Sequence, residues 1–426
     1  VRIDLIRPGF AEGYQSPARM EPLALGILAA LTPSRHEIRV FDERVEPLDL
    51  DGPVDLVAFS VCTFSARRAY QLAARYRERG VPVVMGGFHP TLLPDEVEAH
   101  ADAVVIGDAE DTWPQVLADA EAGHLRRRYV SEGRPAQPAA PDRRVFRGKG
   151  YLPVRMVQFG RGCPRACEFC SIRAFYGGAV RHRPLSDVLA ELEGARRVFF
   201  VDDNLMADRG ALIALLRAIV PRKLRWSSQM DLSLADDPEL LDLVRRSGCE
   251  SLTIGFESLA EANLRQMGKA WNLAGSYEAR LARLRAAGIM VYGTFLFGYD
   301  QDDPDVFRRT LAFAQGQKLF LANFNPLQPF PGTPLYERLA KEGRLVYDRW
   351  WLEPGYRWHE ALVRPRGMDP ETLTHGCRWA RERFHGVRSI LRRLPTRAHV
   401  RHLLVYLAAN VVSCLDIRAK SRLGAR

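Results

Sequence analysis

A disulfide framework is missing from this 426-residue sequence. Of its seven cysteines, Cys163, Cys167 and Cys170 crowd together while Cys62, Cys249, Cys377 and Cys414 stand scattered, and the number is odd. That usage fits a reducing compartment such as the cytoplasm. No apolar run is long enough to span a bilayer: Leu403 to Leu415 is interrupted by Tyr406, Asn410 and Ser413 and falls short of the roughly 20 residues required. Val1 to Ile6, followed by Pro8 and Gly9, lacks the apolar region of a secretory signal, so export is not expected. Short-period repeats, long low-complexity segments and aromatic-interleaved basic motifs are lacking too, and nothing resembles a nucleic-acid-binding module.

What is present suffices for two domains plus a tail, since 47% of the chain is apolar. The formal charge of +10 is unevenly placed: from Cys377 onward twelve basic residues face only Glu382 and Asp416, so the excess sits in the tail. Residues 1–128 alternate apolar runs with helical stretches. Strands are expected at Ile3–Ile6, Ile38–Phe41, Leu56–Ser60, Val81–Met85 and Ala103–Ile106, with helices between them. The βαβα order implies a five-stranded parallel sheet in a flavodoxin-like, Rossmann-like α/β unit. Residues 129–150 read as a linker, because Gly133, Pro135, Pro138, Pro141 and Gly148 interrupt every periodicity.

Across residues 151–334 the alternation resumes in larger units. Six strands are expected, at Met156–Phe159, Val198–Val201, Leu224–Ser228, Ser251–Gly255, Met290–Phe297 and Leu321–Leu327. Asp237 before Pro238 and Asp303 before Pro304 mark helix starts, and Gly248 and Gly288 mark helix ends. A partial (β/α)6 barrel is the economical architecture. Residues 335–426 follow as a helical region with a basic tail, its helices at Leu335–Glu342, Pro370–Leu394 and Ala398–Ile417.

The chemistry concentrates just after the first strand of the second unit, in Arg161-Gly162-Cys163-Pro164-Arg165-Ala166-Cys167-Glu168-Phe169-Cys170. Three thiolates on a loop at a strand's C-terminal end can wrap one face of a cubane cluster and leave one iron open. The alternative is a zinc knuckle or buried free thiols. A closed zinc site needs a fourth ligand, and the first histidine downstream, His182, belongs to the basic run Arg181-His182-Arg183.

CxxxCxxC with an aromatic before its last cysteine resembles the signature of the radical S-adenosylmethionine superfamily, over about Val154 to Pro334. The resemblance implies that Cys163, Cys167 and Cys170 bind a [4Fe-4S] cluster whose open iron chelates the methionyl amino and carboxylate groups of S-adenosyl-L-methionine. One electron then cleaves the sulfonium to give a 5′-deoxyadenosyl radical. By the same resemblance Phe169 packs on the adenine side, Asp202, Asp203 and Asn204 lie where the methionyl amino group is contacted, and Glu257 and Ser258 lie near the ribose. The strand ending at Gly298 and Tyr299 backs the adenine. The glycine-rich form of the second-strand motif is absent. Gln229 and Asp231 complete a ring of polar strand ends, each of which also fits an ordinary turn or helix cap.

A flavodoxin-like domain before such a barrel resembles the cobalamin-binding domain of the cobalamin-dependent subgroup. Ser60-Val61-Cys62-Thr63, Gly86-Gly87-Phe88-His89 and Gly107-Asp108-Ala109-Glu110 follow strands, at the sheet edge where α/β folds bind ligands, although tight turns alone would also place glycines there. Phe330-Pro331-Gly332-Thr333-Pro334 looks like the segment that closes the barrel in the same subgroup. The Asp-x-His-x-x-Gly motif that supplies a lower histidine ligand is missing, so cobalamin is expected without a protein imidazole below cobalt. His89 is either near the corrin or solvated in its turn, and Cys62 and Cys249 read as core residues.

These implications favour a cobalamin-dependent radical methyltransferase acting on a carbon of a small-molecule or lipid-like substrate. An external electron donor such as flavodoxin or ferredoxin is expected. A cyclase, oxidase or rearrangement enzyme with the same cofactors, or a cofactor-binding module without turnover, are the alternatives. Methylthio transfer to transfer RNA would need N-terminal cluster cysteines, and Cys62 is alone there. The tail helix, flanked by Arg392, Arg393, Arg397, Arg401, Arg418 and Lys420, either docks on the barrel with its arginines in water or makes a peripheral contact with an anionic membrane.

Overall fold

The computed structural model describes residues 1–10, 19–132 and 139–423, with side chains as far as Arg418. Gly133, Pro135 and Pro138 of the expected linker, and the side chains of the basic residues beyond Arg418, lie outside the described residues. The chain forms two compact units, Val1–Pro153 with Trp351–Pro354, and Val154–Trp350 with Gly355–Arg426.

The first unit runs β1 (Arg2–Arg7), α1 (Leu23–Leu31), β2 (Glu37–Asp42), β3 (Leu56–Ser60), α2 (Ala66–Glu78), β4 (Val83–Gly86), α3 (Phe88–Leu92), α4 (Pro94–Glu98), β5 (Ala103–Ile106), α5 (Trp113–Glu121) and β6 (Arg128–Val130). Its strands lie in the order β2-β1-β3-β4-β5-β6, all parallel. Four of the five residues of β3 are buried, as expected of a strand covered on both faces. The order reverses between β1 and β3, and such a switch point leaves a crevice at the strands' C-terminal ends.

Two expectations are corrected here. The sheet has six strands, because β6 pairs along β5 with only Tyr129 turned inward, too short a pattern to register as alternation. The described part of the presumed linker packs as well: Asp142 caps a short 3-10 turn at Arg143–Phe146, and the Phe146 ring is buried edge-on to Tyr151.

The second unit opens with β7 (Arg155–Val157), β8 (Gly160–Arg161), α6 (Ser171–Tyr176), β9 (Arg181–His182), α7 (Leu185–Glu191), β10 (Arg197–Phe200), α8 (Arg209–Ile219), β11 (Arg225–Gln229) and α9 (Pro238–Arg246). It continues through β12 (Cys249–Glu257), α10 (Glu261–Gln266), α11 (Tyr277–Ala286), β13 (Met290–Phe297), α12 (Val306–Gly316) and β14 (Leu321–Pro326). The six long strands form a parallel sheet in sequential order from β7 to β14, with β8 and β9 apart as an antiparallel clasp. Alternation is strict in β14 and holds through the middle of β12 and β13. Phe256, Phe295 and Phe324 stack in a row on one face, and Phe313 of α12 packs edge-on against the first two. The other face carries half-buried Thr253, Thr294, Asn323 and Asn325.

Asp237 caps α9 through the Leu240 amide as its sequence implies, and Gly248 and Gly288 follow their helices with positive φ. The Asp303-Pro304 pair does not start a helix. The Asp303 carboxylate accepts the Asp305 amide in a turn, and α12 begins at Val306 with no side-chain capping bond from Asp305.

The C-terminal region comprises α13 (Pro334–Lys341), α14 (Pro370–Phe384), α15 (Val387–Arg393), α16 (Arg397–Arg401) and α17 (Leu403–Leu423). Two expected helices are each broken at a buried histidine. The His385 ring lies 3.1 Å from the Ala322 carbonyl of β14, which ends α14, and His402 lies 3.3 Å from Glu250, which separates α16 from α17.

Arg393, fully buried, locks these helices to the sheet. Its guanidinium donates to the carbonyls of Leu319, Phe320 and Phe384, to Ser389 Oγ and to Asn410 Oδ1. Burial lowers it to about 10, so it stays charged at neutral pH. Arg393→Ala would leave buried carbonyls without donors, a loss of about 3 kcal/mol or more. A urea titration checks this, and a midpoint unchanged from wild type would refute the role.

Candidate active site

The cysteine loop is gripped at its base by carboxylates that follow β10. Asp202 accepts the Phe159 amide at 3.0 Å and the Gly160 amide, and Asp203 accepts the Gly162 amide at 2.8 Å. Gly162 sits at φ +87°, and a Cβ there would come within 1.9 Å of the Ala179 carbonyl, so only glycine allows the loop to leave the clasp this way. Further along, the Glu168 amide donates to Met267 O, and its carboxylate pairs with Arg338 of α13 at 2.8 Å. Cys170 stands at the N-terminal end of α6, and burial pushes its thiol up.

Burial pushes Cys167 up to about 11; the Lys269 ammonium pulls it down, and Cys170 and Cys163 push it further up. Among the described residues, no three histidine, cysteine or carboxylate side chains converge on one point as ligands of a single ion. A cubane cluster takes one sulfur at each of three separate corners, so this all-thiol donor set suits it better than a zinc knuckle.

Around the loop stands a polar cluster. Asn204 Nδ2 lies 4.0 Å from Cys163 Sγ and 3.2 Å from Asp231 Oδ2, which also accepts from Arg165 at 3.0 Å. The Arg165 guanidinium lies 4.1 Å from the centre of the Trp271 ring, and Lys269 Nζ 5.3 Å from it. Lys269 also forms a buried ion pair with Glu257 at 2.7 Å. Glu257 is a non-glycine residue at φ +63° on an irregularity in β12, a device that re-aims a side chain at the price of strain.

The remaining expected residues divide. Gln229 Nε2 donates to the Asp202 carbonyl, which supports the latch. Phe169 packs against the barrel core. Ser258 Oγ accepts the Ala260 amide and Asn263 Nδ2, and the Gly298 amide donates to Asp302, so both serve turns of the fold. Sequence reading passed over Lys269 and Trp271, which no motif marks. It also passed over Thr253, Thr294, Asn323 and Asn325, although polar residues alternating with buried apolar ones were a usable signal.

In the first unit, Ser60, Thr63, Gly86, Gly87, Gly107 and Glu110 do fall at or just after the C-terminal ends of β3, β4 and β5. Gly87 has a structural duty: at φ +108° its missing Cβ would lie 2.8 Å from the Val61 carbonyl. The Gly107 amide donates to Thr91 Oγ1. His89 is not solvated. It is fully buried in α3, with Nε2 at 3.0 Å from Tyr70 Oη and 3.2 Å from Glu96 Oε1, an oxygen that also accepts from Tyr70 and Trp351. Burial works against the Glu96 charge, but these hydrogen bonds outweigh it and lower the carboxyl. Cys249 is buried as expected, whereas Cys62 is half-buried beside Ser65 Oγ.

Comparison with known proteins gives this geometry its setting. Residues 157–314 match the radical SAM superfamily and residues 16–117 the B12 binding domain. The chain is 30% identical, over 83% of its length and 80% of the relative's, to bacteriochlorophyllide d C-12(1)-methyltransferase of Chlorobaculum tepidum. It belongs to the cobalamin-dependent radical S-adenosylmethionine methyltransferases. Another relative is the hopanoid C-2 methylase of Rhodopseudomonas palustris, 28% identical over 78% of this chain and 66% of that protein. The radical enzyme OxsB, solved with aqua-cobalamin and S-adenosylmethionine, shares the fold at a TM-score of 0.65 over 97% of this chain and 71% of OxsB, with 14% identity. Enzymes of this family work with a [4Fe-4S] cluster, S-adenosylmethionine and cobalamin, and need a reductant. No helix among the described residues is long and apolar enough to cross a membrane.

The latch of this methyltransferase is sensitive to pH. Burial pushes Asp202 up to about 7, against the two amides that favour its charge. An unfolded aspartate titrates near 3.9, so Asp202 favours the fold fully only below that pH, and its contribution fades as pH rises toward 7. Relative to wild type, Asp202→Asn should therefore gain thermal midpoint as pH is raised from about 5 to about 8. A pH-independent difference in melting curves would contradict this.

Proposed function

We propose that this chain methylates a carbon of a large, predominantly apolar metabolite, and that Cys163, Cys167 and Cys170 hold the cluster from which the reaction starts. The observation that carries the reading is the thiol loop fixed by Asp202 and Asp203 beside a polar strand face, in a chain aligned over most of its length with methyltransferases of bacteriochlorophyllides and hopanoids.

When bound, the cluster supplies an electron, S-adenosylmethionine the hydrogen-abstracting radical and cobalamin the methyl group. The protein binds, orients and excludes water. Asn204, Asp231 and Arg165 form a charged and hydrogen-bonding patch next to Cys163, suited to the amino and carboxylate groups of the methionyl end. The Lys269–Glu257 pair adds a fixed dipole near Cys167, and Trp271 shields it. Thr253, Thr294, Asn323 and Asn325 offer donors and acceptors along the same sheet. The loops at Ser60–Thr63, Gly86–Gly87 and Gly107–Glu110 take cobalamin, and a flavodoxin or ferredoxin delivers the electrons.

Anaerobic loading with iron, sulfide and cobalamin, followed by incubation with S-adenosylmethionine and candidate acceptors, tests this. A product heavier than its substrate by one methylene supports methyl transfer, and one of equal mass or short of hydrogens refutes it. Cys167→Ala should abolish the cluster absorbance and 5′-deoxyadenosine formation. Formation at the wild-type rate would refute the ligand assignment.

A further inference from the structure

Exposed large apolar side chains are not scattered over this protein. Among the described residues all of them except Val1 and Val130 lie between Trp379 and Leu415, in the stretch that also carries the net positive charge. The arrangement on α17 is inverted relative to an ordinary surface helix. Its docked face is polar-tipped, with Tyr406 Oη donating to the Ile390 carbonyl and Asn410 bonded to Arg393 and to Phe320. Its outward face is apolar: Leu404, Leu407, Val411 and Leu415 recur at helical spacing, Leu404 being 81% and Val411 57% exposed. The preceding helices repeat the theme. Val387 and Leu391 stand outward on α15 one turn apart, alongside exposed Arg388 and Arg392, and on α16 exposed Val400 adjoins Arg401.

A row of leucines and valines kept in water is unfavourable, and on a solvated helix those positions would be charged. Here the charges stand beside the apolar row and are overwhelmingly of one sign. A protein partner of ordinary composition would leave so many arginines without counter-charge. A sheet of anionic headgroups over hydrocarbon satisfies both features: arginines reach the phosphates while the apolar row enters the headgroup boundary. With no span in the described chain, attachment is by lying on the surface. We propose that α15 to α17 form a peripheral docking face for an anionic lipid bilayer. This is independent of the chemistry assigned above and would hold for any substrate.

Full-length holoenzyme sedimented with phosphatidylglycerol–phosphatidylcholine vesicles tests it, with pure phosphatidylcholine vesicles and high salt as comparisons. The expected result is co-sedimentation with the anionic vesicles that weakens with salt. Replacing Arg388 and Arg392 with alanine should lower the partition coefficient about fivefold per residue. Replacing Leu404 and Val411 with serine should lower it about tenfold or more. None of these side chains touches the core, so the arginine variant keeps the test valid if the serine variant melts early. Equal binding to neutral vesicles, no binding to either, or vesicle-independent self-association abolished by the serine changes would each overturn the proposal.

Discussion

The candidate site of the second unit depends on the grip of two consecutive carboxylates on the backbone of one loop. Asp202 and Asp203 take the amides of Phe159, Gly160 and Gly162, which come just before the first cysteine. A loop of this length would otherwise sample many conformations, and three sulfurs cannot be presented to one cluster unless that entropy is removed beforehand. The β8–β9 clasp closes the loop at its far end, and Glu168 ties its middle to Arg338. The cost is visible in Asp202 itself, a buried carboxylate whose charge burial opposes.

The polar groups around the thiols follow a second constraint. Two of the buried carboxylates are paired with cations, Asp231 with Arg165 and Glu257 with Lys269, while Asp202 is held by backbone amides alone. The bulge at Glu257 turns one carboxylate toward Lys269 where a regular strand would have aimed it elsewhere. The first unit handles its buried polar groups in a comparable way, with Glu96 Oε1 collecting hydrogen bonds from Tyr70, His89 and Trp351.

The sequence made much of this legible. Strands written as nearly continuous apolar runs, such as Leu56–Ser60 and Met290–Phe297, were readable because burial leaves that imprint directly. The cysteine spacing carried the cofactor family. What escaped depended on partners remote in the chain. The helix breaks at His385 and His402 arise from bonds to Ala322 and Glu250, and β6 is a strand only because β5 lies beside it. Ser258 and Gly298 stand at strand ends where turns and binding sites use the same residue types, and their bonds to Asn263 and Asp302 show the part each plays in its turn. Lys269 and Trp271 belong to no motif, and their place near the thiols follows from the packing of Gly268 against the Ala166 carbonyl.

The central claim is that the latched loop presents three sulfurs and leaves a fourth corner for the methionyl end of S-adenosylmethionine. Electron-nuclear double resonance on the reduced cluster, with S-adenosylmethionine labelled with nitrogen-15 at its amino group and oxygen-17 at its carboxylate, tests it most directly. Hyperfine coupling from both labels is the predicted result. A fully loaded four-iron cluster showing coupling from neither label would contradict the account.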